Sequence, residues 1–144
     1  MSVVLDAGRL DDDASATVAI PLGAEAPRIA RGVIELCLAD RVAPSALEIA
    51  QLLASELVSN SVRHSGVPEG EAIVVRVHLS SGICRLEVED PGHDGVIALR
   101  PPDPCRTGGL GLNLLAALSE SWGVGRAAAG PTRVWAQLPC PPLV

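Results

Sequence analysis

The chain has no phenylalanine, no tyrosine and only two tryptophans, and all eleven of its strong cations are arginine. The first shortage leaves core packing to aliphatic side chains, which a hydrophobic content of 48% can supply. The net charge of -6 argues against DNA or RNA as a direct partner, because such binding rests on cations neutralising phosphates. Cysteine is sparse and unpatterned. Cys37, Cys84, Cys105 and Cys140 show no C-x-x-C spacing, which removes the usual zinc-site reading. Cys37 and Cys84 sit within apolar patterns, where a reduced thiol serves as a small hydrophobe. No apolar run is long enough to span a bilayer, and the first fifteen residues lack a basic segment followed by an apolar one. The expectation is therefore a cytoplasmic protein that makes no membrane contact.

A chain of 144 residues fits one domain. Residues 1–14 read as an N-terminal arm or edge strand, 15–140 as the domain and 141–144 as a tail. "SATVAIPL" has the alternation of a strand. "APRIARGVIELCLADR" places Ile29, Val33, Leu36 and Leu38 on a helical period, with Pro27 suited to a first turn. "APSALEIAQLLASELVSNSVRHSG" carries Leu47, Ile49, Leu52, Leu53, Leu57 and Val58 and reads as the longest helix, closing at Gly66. "EAIVVRVHLS" and "GICRLEVED" alternate on either side of a short Ser-Gly turn and predict an antiparallel hairpin. After a loop rich in proline and glycine, "LGLNLLAALSESWGV" is helical by period, and "GRAAAG" and "TRVWAQLP" read as a closing pair of strands. The order predicts an α+β fold with helices on one face of a mixed, mostly antiparallel sheet.

Three features ask for one explanation. Glu56, Asn60 and His64 recur at four-residue steps and stack on one stripe of the long helix. Asp90 ends a strand, before Pro91 and Gly92. "RTGGLGLNLL" brings glycines to a helix start, where backbone amides and the helix dipole favour a phosphate. Phosphates bring magnesium, which prefers oxygen ligands and keeps several waters, so the amide oxygen of Asn60 suffices as a protein ligand. Glu56, one turn earlier, is placed to take the proton of an attacking hydroxyl. A carboxylate at Asp90 accepts the exocyclic amine of adenine and repels the guanine carbonyl, which predicts ATP over GTP.

These residues carry a family resemblance. "ELVSNSVRH" resembles the N box of the GHKL, or Bergerat-fold, ATPases, with Ser61 where alanine is usual. "EDPGHDG" resembles their G1 box, "TGGLGLNLL" their G2 box and "GPTRVWAQLP" their closing G3 segment. Within that superfamily the short length and the "ELVSNSVRHSG", "ALSESWGV" and "TRVWAQL" stretches are most similar to the anti-sigma factor serine/threonine kinases. The resemblance covers roughly residues 15 to 140. It implies a two-layer α/β sandwich of the histidine kinase-like ATPase type, with ATP and Mg2+ as cofactors.

Carried over position by position, the resemblance implies that Glu56 is the catalytic base, Asn60 the magnesium ligand, Asp90 the adenine-reading carboxylate and Thr132 its neighbour. Gly92 and Gly95 would shape the adenine pocket. Gly109, Leu110 and Gly111 would line the phosphates, with Thr107 and Gly108 at the lid edge and Arg106 reaching a terminal phosphate. His64 matches the N-box histidine, although a helix-end role explains it equally well. The implied partners are a STAS-type anti-anti-sigma factor and a sigma factor, with a homodimer common among close relatives. The G1 pattern departs from its usual form, because Gly95 comes one residue late. That departure, with a lid poor in basic residues, keeps open a non-catalytic, nucleotide-gated adaptor, while a detached ATPase half of a histidine-kinase system stands third.

Overall fold

The computed structural model of the chain describes residues 3–7, 13–64, 71–90, 115–126 and 131–143. Its elements run β1 (Val3–Ala7), β2 (Ala14–Pro21), α1 (Ala26–Leu38), α2 (Pro44–His64), β3 (Ala72–Ser80), β4 (Ile83–Asp90), β5 (Ser121–Arg126) and β6 (Thr132–Pro139). The strands form one six-stranded sheet in the order β1-β2-β3-β4-β6-β5. Every pairing among them is antiparallel, so the parallel component allowed by a mixed sheet is not found among the described strands.

The local rules account for most of these elements. Alternation in β2, β3 and β4 buries every second residue, including Val18, Ile20, Ile73, Val75, Leu86 and Val88. Ser81 and Gly82, at φ 52° and 77°, form the two-residue turn of the β3–β4 hairpin. Positive φ at both centres matches the right-handed twist of the flanking strands. Pro27 falls in the first turn of α1, where its missing N–H costs no hydrogen bond.

The helices cover one face of the sheet. From α1 the core receives Ala26, Ala30, Val33, Ile34, Cys37 and Leu38, a stripe at helical spacing. Leu36 departs from the expectation: it is 74% exposed. It lies about 100° around the helix from Cys37, off the stripe that the four- and three-residue steps define. From α2, Leu53, Ala54, Leu57 and Val58 are buried, whereas Leu52 points outward. Gln51 ties the two helices together by donating to the Arg31 carbonyl and to Glu35, both at 3.2 Å. Cys37, Cys84 and Cys140 are buried free thiols within this aliphatic core.

The second departure concerns "SWGV". Sequence period assigns it to a helix, yet among the described residues the helical turn spans only 115–118, and Ser121–Arg126 is strand β5. Trp122 and Val124 pair with Ala136 and Val134 of β6, and Trp122 packs against the core. Pairing with β6 overrides the local helical preference.

Candidate nucleotide site

The site is assembled by α2, β4 and β6. Glu56 and Asn60 stand one turn apart on α2, beside the buried Leu57 and Val58. The start of α2 is tied to the far end of the sheet: the Ala43 N–H donates to the Pro141 carbonyl at 2.9 Å, and Val42 bridges Pro142. From that anchor the helix packs against β4 and β6. At about 1.5 Å per residue its Glu56–Asn60 turn comes about 18–24 Å along. Over about the same distance β4 reaches its last residue, Asp90.

Asp90 and Thr132 are direct cross-strand partners and the last pair of the β4–β6 ladder. Both belong to the helix-covered side, at 5% and 2% exposure. A buried carboxylate beside a buried hydroxyl gives a polar end to an otherwise aliphatic layer, and such groups persist where hydrogen bonding compensates the lost water.

Asn60 differs from its polar neighbours. Ser55, also buried, donates to the Leu52 carbonyl at 3.0 Å and is satisfied within the helix. Asn60 Oδ1 is the buried side-chain oxygen that has no hydrogen-bond partner among the described residues. Leaving such an acceptor unmade costs about 1–3 kcal/mol. A neutral amide oxygen without a donor is a suitable ligand for a hard cation such as Mg2+, so the residue fits the ion that the sequence implies. No group of three or more His, Cys, Asp or Glu side chains that could hold a metal occurs among the described residues, and magnesium, which keeps several waters, needs only one or two protein oxygens.

Of the sequence-predicted residues, the structure thus describes Glu56, Asn60, Asp90 and Thr132. It pairs Asp90 with Thr132 and sets Glu56 and Asn60 one turn apart on α2, the helix that packs against β4 and β6. Gly92, Gly95, Arg106, Thr107, Gly108, Gly109, Leu110 and Gly111 lie outside the described residues. His64 ends α2.

Sequence reasoning missed the charges directly behind the site. Arg76 of β3 donates to Glu89 at 2.6 Å and to Glu87 at 3.0 Å, and Arg133 of β6 lies 3.5 Å from Glu89. The hydrogen bond from Arg76, aided by the charges of Arg76 and Arg133, outweighs burial and holds the Glu89 carboxyl below its ordinary range. The signal was present as charged residues on the outward beats of three strands, but only the register brings them together.

The family model of the histidine kinase-like ATPase domain matches residues 20–138, from the end of β2 to the end of β6. No curated protein matches the chain. Among the described residues no helix is long and apolar enough to cross a membrane. With a six-stranded antiparallel sheet under two helices and a family match that spans most of its length, the chain belongs to the histidine kinase-like ATPase domain family and carries its ATP-type nucleotide-binding fold.

Proposed function

We propose that this protein is an ATP- and magnesium-dependent serine/threonine protein kinase that acts on a STAS-type anti-anti-sigma partner, serves as an anti-sigma factor and regulates transcription by partner switching in the cytoplasm. The observation that carries the reading is the pairing, one turn apart on α2, of a carboxylate at Glu56 with the unpartnered buried oxygen of Asn60. A nucleotide adaptor needs the second group but not the first.

In this reading Asp90 and Thr132 orient the adenine, and Asn60 holds the metal. A magnesium ion held there would supply positive charge that neutralises the phosphate oxygens. Glu56 accepts the proton of the partner's serine hydroxyl as its oxygen bonds to the γ-phosphorus, the bridging P–O bond breaks and ADP leaves. A positioned base of this kind contributes about 10²–10⁴-fold.

The test incubates the purified chain with radiolabelled ATP, magnesium and STAS-domain proteins of the same organism. Acid-stable phosphate on a serine or threonine, lost with Glu56→Gln while ATP affinity is kept, supports the kinase. ATP binding without transfer to any of them rejects it. The late Gly95 and the scarcity of basic residues before Gly109 favour a second reading, an adaptor that holds a sigma factor or another regulator under nucleotide control. Regulation in cells that survives Glu56→Gln favours the adaptor.

A further inference from the structure

The face of the sheet opposite the helices carries a charge network at the same end as Asp90 and Thr132. Glu89 precedes Asp90 and Arg133 follows Thr132, so strand alternation sends these two neighbours to the face opposite the buried pair. Glu89 and Arg133 are themselves cross-strand partners, 3.5 Å apart, and Arg76 reaches from β3 to the same Glu89 oxygen at 2.6 Å. The Glu89 side chain is only 14% exposed, unlike the fully solvated surface pairs that contribute little. One carboxylate therefore clasps β4 to both neighbouring strands.

That clasp sits where the ladder is weakest. Asp90–Thr132 is the last of eight register pairs between β4 and β6, and terminal pairs open before central ones. In the sequence Pro91 comes next, with no amide hydrogen to prolong the ladder.

We propose that Glu89, gripped by Arg76 and Arg133, is a positioning residue for the nucleotide site: it pins the final β4–β6 pair so that Asp90 and Thr132 keep the separation that the base requires. The assignment rests on the nucleotide reading above. It gives that face a task, because a charge cluster opposite the buried pair sets the geometry of the two residues assigned to the base.

The test measures adenosine and Mg-ADP affinity by calorimetry, and amide hydrogen exchange along β4 and β6, in the wild type, Glu89→Ala, Glu89→Gln and Arg133→Ala. Expected is a loss of about ten-fold for both ligands in Glu89→Ala, since small misplacements of positioning groups have effects of this order or larger. Exchange should quicken at Asp90 and Thr132 while Cys84 and Leu138 keep their rates. Glu89→Gln, which keeps an acceptor for both guanidinium groups, recovers part of the affinity. Arg133→Ala, at an exposed position, should move in the same direction and carries the test if Glu89→Ala fails to fold. Wild-type affinity in the variants, or faster exchange along the whole of both strands, overturns the assignment alone. A wild-type chain that binds neither ligand overturns the nucleotide reading and this assignment with it.

Discussion

Asp90 and Thr132 face each other across β4 and β6 on the side that α2 covers, buried and last in their ladder. Forty-two positions apart in the chain, they meet only because β6 returns to the edge of the hairpin. A carboxylate so placed selects adenine if the nucleotide reading holds. Asp90→Asn should weaken ATP binding by about 1.5–3 kcal/mol, the range for a hydrogen bond to a charged group. The ATP-to-GTP ratio should fall with it, because an amide can donate to the guanine carbonyl. Calorimetric titration with both nucleotides checks this, and an unchanged ratio rejects the role of Asp90.

Asn60 should behave oppositely in two assays. Its unpartnered Oδ1 costs the nucleotide-free chain about 1–3 kcal/mol, so Asn60→Ala should leave the melting temperature unchanged or higher. The same change should abolish the further stabilisation conferred by magnesium and ATP, which for the wild type at a hundredfold excess over Kd is about 2.7 kcal/mol. Thermal melts with ATP, with and without EDTA, separate the two effects. Equal stabilisation of both proteins by magnesium and ATP rejects the ligand role.

Two glycines should respond in opposite senses to alanine. Gly32 lies on the exposed side of α1 with nothing within 4 Å of an added methyl group. Gly32→Ala should therefore stabilise the protein by about 0.5–1 kcal/mol through helix propensity. At Gly123 an added methyl would meet the Trp135 ring at 2.8 Å, and that ring also lies beneath the Arg85 guanidinium at 4.4 Å. Displacing it should cost about 1–3 kcal/mol. Urea unfolding of both variants measures the two signs.

Acid should release the Glu89 clasp. Its folded pKa is depressed by the Arg76 hydrogen bond and then by the neighbouring charges of Arg76 and Arg133, against the opposing pull of burial. The stabilisation is therefore present above the unfolded value of about 4.3. It is lost as pH falls through the lower folded value. The margin of wild type over Glu89→Gln in urea unfolding should be constant from pH 6 to 7 and shrink below about pH 4. A margin that does not change with pH would show that the charge of Glu89 is irrelevant to the fold.

The sequence by itself determined the aliphatic core, the two long helices, the β3–β4 hairpin and the identity of Glu56, Asn60, Asp90 and Thr132 as candidates. The core, helices and hairpin rest on local signals, a period of 3.6 or 2 and a Ser-Gly turn; Glu56 and Asn60 rest on their four-residue step, Asp90 on its place at a strand end, and Thr132 on the family resemblance. Tertiary structure alone decided the rest. A helical period extends through "SWGV", yet β6 offers that segment a partner and makes it a strand. Leu36 fits an apolar count but not the stripe that meets the sheet. The unpartnered oxygen of Asn60 and the grip of Arg76 and Arg133 on Glu89 depend on burial and on register across strands. Neither is local. Burial and pairing arise between segments far apart in the chain, so they are read only after the fold has brought those segments together.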